Sequence, residues 1–215
     1  MLAVTFALPS ESRDFVRLLA GRHQEVEVFH TGVGAALAAR RIEGFLDSKP
    51  FDLLISSGFA GGVDHSLGVG NLFVAENFSD PKLLEQAREL LICRTGKLVS
   101  TDRVIENAEE RTAFAREHGA HAVDMETEQI ASACATRKIP LLSLRAISDS
   151  TAAPFPAPAS VLFDLERQRT RFRRLAPYLL TRPHAVVRLA RFARQIAAAR
   201  TELAIGLKEL IEDLA

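Results

Sequence analysis

The chain alternates short apolar runs with longer stretches whose apolar residues recur every three or four positions. Residues 2–8 form an apolar run of the length of a central strand. Pro9-Ser10-Glu11 then opens a helix, with Ser10 as its N-cap and Phe15, Leu18 and Leu19 on one face. Residues 26–30 alternate as a second strand, and 35–46 repeat at helical spacing. The most strand-like run is 51–57. A turn over 64–69 precedes a strand at 70–75 and a helix at 81–91. A short strand at 97–100 leads to a charged helix over 108–118. Residues 120–123 then read as a strand running straight into a helix from 124 to 136. Residues 141–150 begin like a buried strand and end abruptly in polar groups. Beyond Pro158 the pattern predicts no strand, only helices over 161–180 and 185–214, divided by Thr181-Arg182-Pro183.

Strands alternating with helices in this way predict an α/β fold: three layers around a central, mostly parallel, twisted sheet. At 215 residues one domain suffices, with an α/β core over 1–157 and a basic helical C-terminal extension over 158–215. The 27 basic and 27 acidic side chains cancel, so no global field draws the protein to nucleic acid. Cys93 and Cys134 make neither a disulfide framework nor a zinc-ligand spacing. They read as reduced core thiols. Residues 1–6 have no basic segment ahead of them and Glu11 soon interrupts the apolar run, which fits a first strand better than a signal peptide. No apolar run nears the roughly 20 residues that span a bilayer. A cytoplasmic protein is expected.

The balance hides an arginine-rich C-terminal part, which includes Arg167, Arg169, Arg171, Arg173, Arg174, Arg182, Arg188, Arg191, Arg194 and Arg200. One reading is a solvated helical face pairing with acids elsewhere. The other is a basic amphipathic surface for anionic lipid at a membrane or for a partner chain. Few stacking aromatics accompany these arginines, which disfavours nucleic acid.

Candidate chemistry gathers where strands end, the place at which open α/β sheets bind ligands. Arg145, Ser148 and Asp149 close the run at 141–150, ahead of Pro154-Phe155-Pro156-Ala157-Pro158. Asp149 could cap a turn, pair with Arg145 or act as an acid. Asp124-Met125-Glu126-Thr127-Glu128 opens a helix, where acids suit the macrodipole. Four polar groups facing the same edge as Asp149 exceed what capping requires. In Ser57-Gly58-Phe59-Ala60-Gly61-Gly62, three glycines in five residues would free main-chain N–H groups for an anion or a sugar hydroxyl. Thr31-Gly32-Val33-Gly34 resembles the start of a dinucleotide fingerprint, but Leu37 fills the place of the third glycine, so a plain strand-to-helix turn is favoured.

Four of these segments, in order, resemble the nucleoside phosphorylase family, and within it the methylthioadenosine/S-adenosylhomocysteine nucleosidases. They are Glu11 after the first strand, residues 57–62, Val123-Asp124-Met125-Glu126, and Arg145-Ala146-Ile147-Ser148-Asp149. The likeness covers residues 1–150; the C-terminal part looks more like nucleosidase-like proteins of hopanoid lipid synthesis. The resemblance implies the phosphorylase/hydrolase-like fold, a homodimer and a purine nucleoside N-ribohydrolase that releases adenine from a 5′-substituted adenosine. A phosphorylase, including one acting on a lipid-linked adenosyl substrate, is the alternative, and a non-catalytic nucleoside-binding protein a third. In this scheme Asp149 protonates the departing purine, Glu11 activates water, and Glu126 holds the ribose hydroxyls above Met125. Ser148 orients the base, Ile105 reads its edge through the backbone, and the 58–62 loop, with Ala60 and Gly61, holds the water. Arg145 scaffolds the site, positioning Glu126, and Phe155 borders it. No metal or organic cofactor is expected, because the acids are not grouped with His at ligand spacing and the chemistry needs none.

Three departures stand out. Phe59 replaces a small serine near the nucleophile, Val104 replaces the aromatic that stacks on the purine, and the segment after Asn77 is short. The last implies an open 5′ end. Hydrolysis is expected because Glu11 would repel phosphate; Arg13 should point away from it, whereas Arg40, Arg41 or Arg145 could instead build a phosphate pocket.

Overall fold

Residues 141–149 are buried from end to end because the strand they form has a neighbour on each edge and helices on each face. The structure is a computed structural model that describes residues 1–19, 26–153, 163–164, 169–170 and 183–214. Its elements run β1 (Leu2–Phe6), α1 (Pro9–Leu18), β2 (Val26–His30), α2 (Ala35–Leu46), β3 (Leu53–Gly62) and β4 (Leu72–Ala75). A 3-10 turn over Glu76–Phe78 precedes α3 (Pro81–Leu90), β5 (Cys93–Gly96), β6 (Leu98–Ser100) and α4 (Ala108–His118). Then come β7 (Ala122–Asp124), α5 (Thr127–Arg137), β8 (Leu141–Asp149), β9 (Phe163–Asp164), β10 (Arg169–Thr170) and α6 (Pro183–Leu214).

The eight-stranded sheet has the order β2-β1-β3-β8-β4-β5, with β7 pairing β3 and β6. Pairing is parallel except where β4 meets β8 and β7 meets β3. The three-layer α/β expectation holds. On one face, Val4, Phe6, Ile55, Leu142 and Leu144 pack with α1, α3 and α6. On the other, Ala3, Leu54 and Leu141 pack with Ile42 and Phe45 of α2 and Ile130 and Cys134 of α5. Burying each such Leu, Ile or Phe contributes about 1.5–3 kcal/mol, so these two cores carry most of the stability.

Along the α2/α5 face the sheet changes character toward its carboxyl end. The row Ala3, Leu54, Leu141 is apolar; the next in register, Thr5, Ser56 and Ser143, is hydroxyl-bearing. Gly58 and Arg145 follow. This gradient lets a buried sheet end in a charged site without abruptly stranding charge in hydrocarbon.

The expected boundaries of α2 and α4 coincide with the observed ones, and most others lie within three residues. Several expectations are corrected. Ser10 does not cap α1: Leu8 stands at the cap and Pro9 takes the first turn, where its missing N–H costs nothing. Phe15 and Leu19 are buried but Leu18 faces out. Residues 58–62, read as a loop, continue β3, because β8 on one side and β7 on the other supply ladder partners. Strand β5, on the sheet edge, was not anticipated. The helix expected over 161–180 is contradicted at 163–164 and 169–170, which pair as short antiparallel strands. Helix α6 confirms the last predicted helix and is built into the core, with Ala199, Leu203, Ala204, Leu207, Leu210 and Ile211 buried. Among the described residues no helix is long and apolar enough to cross a membrane.

Candidate active site

The carboxyl ends of β3, β7 and β8 and the starts of α1 and α5 converge on a cleft of about 200 Å³. It is lined by Glu11, Phe59, Ala60, Gly61, Val104, Ile105, Met125, Glu126, Ser148 and Asp149, ten residues singled out from sequence. Arg145 lies beneath it, and Phe155 falls outside the described residues.

Glu11 sits in the first turn of α1, and its Oε2 accepts the backbone N–H groups of Ala7 (3.1 Å) and Leu8 (3.4 Å). It lies so close over β3 that only glycine fits beneath. Gly58 has φ +143°, and a Cβ there would stand 2.9 Å from Glu11 Oε2. Burial pushes Glu11 up to about 7, against those backbone donors and the charge of Arg145. Replacing Gly58 by Ala should therefore displace Glu11 and strain the strand by about 1–3 kcal/mol. Turnover and thermal unfolding would both fall; an unchanged turnover would show that Glu11 is not held through this contact.

Glu126 stands at the N-cap of α5, and its Oε1 accepts the backbone N–H of Gly34 at 2.6 Å. The Thr31–Gly34 segment is thus a turn between β2 and α2 whose last N–H serves a carboxylate. Burial raises the pKa of Glu126, and the nearby charges of Asp124 and Glu11 add to the effect. Met125 is half-buried beside it.

Arg145, expected to scaffold the site and position Glu126, bonds Asp124 and not Glu126 itself. Its Nε and Nη2 pair with Asp124 Oδ2 at 3.2 and 3.1 Å. Nη1 donates to the Ser56 and Leu144 carbonyls, and Nη2 to Ser56 Oγ and Thr127 Oγ1. Asp124 also accepts from Ser100 and Thr127 hydroxyls. This pair and its satellites form the floor of the site, and every Arg145 nitrogen is engaged in it. Glu128 is exposed and outside the cleft.

Asp149 is 2% exposed. Its Oδ1 accepts from Ser148 Oγ at 2.6 Å, and its Oδ2 is paired with Arg111 Nη2. Burial raises its pKa, opposed by Arg111 and the Ser148 hydrogen bond. Gly61 permits this packing: a Cβ there would meet Asp149 Oδ2 at 3.1 Å. Arg111 was missed at the sequence level. Its signal is its place in the α4 stripe with Phe114, Ala115 and His118, where an apolar residue belongs.

Such a site can do three things at once: protonate a leaving group from Asp149, hold hydroxyls at Glu126, and take a proton from water at Glu11. Among the described residues no group of three or more His, Cys, Asp or Glu side chains could hold a metal ion.

The chain that carries this site is similar to known proteins in sequence and in fold. A model of the phosphorylase superfamily matches residues 74–181, half of the chain, and the chain belongs to that superfamily. A 5′-methylthioadenosine/S-adenosylhomocysteine nucleosidase from Staphylococcus saprophyticus is 29% identical, over 59% of this chain and 69% of the relative. Among solved structures, futalosine hydrolase of Helicobacter pylori aligns with a TM-score of 0.73 at 17% identity, covering 99% and 97% of the two chains. A 5′-methylthioadenosine/S-adenosylhomocysteine nucleosidase from Helicobacter pylori aligns equally well, at 16% identity. At these identities the structures speak for the fold.

Proposed function

We infer that this protein is a purine nucleoside N-ribohydrolase that releases adenine from a 5′-substituted adenosine. Its kinship with nucleosidases supports the reaction class. The observation that carries hydrolysis is the nucleophile end of the cleft: Glu11 is packed over Gly58, and the arginine beneath is consumed by Asp124, Ser56 and Thr127. A phosphate dianion there would face a carboxylate with no uncommitted guanidinium from Arg145. Arg13 lies beside Asp14 on the outside of α1, Arg41 donates to the His30 carbonyl, and Arg40 is exposed on α2.

In the reaction the N-glycosidic electrons pass to the purine, which takes a proton from Asp149 on a ring nitrogen. Positive charge grows on the ribose above Met125 and is countered by Glu126, which also binds the hydroxyls. Water attacks the anomeric carbon and gives its proton to Glu11. Phe59 narrows the nucleophile end, and Ile105 and Val104 flank the base.

Incubation with methylthioadenosine, S-adenosylhomocysteine, adenosine and inosine, with and without phosphate, tests the reading. Adenine from the three adenosine substrates should appear at the same rate in both. Because Glu11 must be ionised to accept water's proton, release should fall as pH drops through about 7. A strict phosphate requirement would convert the protein to a phosphorylase.

The short passage from the 3-10 turn to α3 supports an open 5′ end that admits a bulky substituent. Exposed Arg188, Arg191 and Arg194, three residues apart on α6, support a basic surface for anionic lipid.

A further inference from the structure

Among the described residues Arg111 heads the fully buried side chains by volume, and it is a cation. Its Nη1 donates to the Gly62 carbonyl at 3.0 Å, its Nη2 pairs with Asp149, and its Nε has no acceptor among the described residues. A buried ion pair with one donor unmet is a poor stabilising device. An apolar side chain of similar size is often at least as stable in such a place. Four further charged side chains line the cleft: Glu11 from α1, Arg103 from the β6–α4 loop, Asp124 from β7 and Glu126 at the start of α5. His65, from the β3–β4 loop, reaches only Thr151, two residues beyond. Arg103 is paired with Glu110, so among the described residues Arg111 is the cation that touches Asp149.

We propose that Arg111 is a positioning residue for Asp149, turning its carboxyl so that Oδ1 faces the departing base and stabilising the carboxylate left when the proton has gone. The proposal rests on the ribohydrolase reading. Oδ2 is held against Arg111 and backed by Gly61, so Oδ1 is the oxygen that must carry and deliver the proton. Ser148 accommodates both states. Its hydroxyl donates to the ionised Oδ1 at 2.6 Å and has a second acceptor, the Ala60 carbonyl, at 3.3 Å for when Oδ1 is protonated. As the glycosidic bond breaks, the Oδ1 proton passes to the purine nitrogen and Ser148 turns back to the new anion. The proton lost by attacking water goes to Glu11, and Asp149 is reprotonated from solvent. Arg111 thereby makes Asp149 a stronger acid, one that gives up its proton at lower pH than it would alone.

The test compares R111Q and R111K with the unmodified protein on a purine nucleoside and on a nitrophenyl β-ribofuranoside, whose phenolate departs without a proton. R111Q should lose about 10–100-fold on the purine nucleoside, less than the roughly 10²–10⁴-fold that the general acid itself supplies, and should lose less again on the aryl riboside. Its alkaline pH limb should move up by about 1–3 units, the usual influence of an adjacent arginine on an aspartate. R111K, which keeps the charge, should recover most of the rate and show the same selectivity in smaller measure. Equal losses on both substrates with an unmoved limb would reduce Arg111 to a structural residue. Infrared titration of the Asp149 carboxyl, assigned by difference from D149N, reads the same point without turnover: its proton should be lost at higher pH in R111Q, and an unchanged titration overturns the proposal. Failure of the unmodified protein to release any base would sink the ribohydrolase reading but leave that titration to decide on Arg111.

Discussion

Replacing Asp149 by Asn should cut release of purine by about 10²–10⁴-fold, the contribution expected of a positioned general acid. The amide keeps the shape of the carboxyl: its oxygen can still accept from Arg111, while its NH2, in the place of Oδ1, donates to Ser148 Oγ. It carries no proton acidic enough to pass to a ring nitrogen. Because Arg111 would then lie buried against a neutral partner, the variant should also melt at lower temperature. Steady-state release of base beside a melting curve separates the two effects. Turnover close to that of the unmodified protein, at any stability, would remove Asp149 from the chemistry.

The largest loss of stability should come from Arg145→Met. It leaves Asp124, buried between β7 and α5, without its cation and the Ser56 and Thr127 groups without a donor. Breaking a buried pair by removing one partner costs about 3–5 kcal/mol, a large fraction of a domain's net stability. Base release should fall as well, since Asp124 holds the strand that delivers Met125 and Glu126 to the cleft. Denaturant unfolding measures the first effect. A change within about 1 kcal/mol would mean that the floor of the site relaxes around an uncharged side chain.

The three carboxylates were legible because each stands at or just beyond the carboxyl end of a strand, a local pattern. Their companions were not, for reasons that differ. Arg111 sits among Glu109, Glu110, Arg116 and Glu117, so its burial is set by Asp149 and Gly62, distant in sequence. The bond from Arg145 to Asp124 was not legible because Asp124 and Glu126 are two apart; only the fold shows that the strand aims the first at the floor and the helix start aims the second at the cleft. The glycines of β3 disfavour a strand locally, yet two flanking strands override that preference. Strand β5, Cys93-Arg94-Thr95-Gly96, lacks apolar alternation and is held in place by its ladder with β4. Sheet order as a whole depends on such distant pairings.

Helix α6 packs along α1, and Arg200 is paired with Asp14 at 2.7 Å, one helical turn from Glu11. Leu203 and Leu207 share a core with Phe15, on the same helix as that carboxylate. A ribosome makes the chain from its amino end, at about 5–20 residues per second. Glu11 is therefore made well before the residues near 200 that give its helix its full seat. All three carboxylates are thus on the nascent chain before α6 can close over α1 and let them act together.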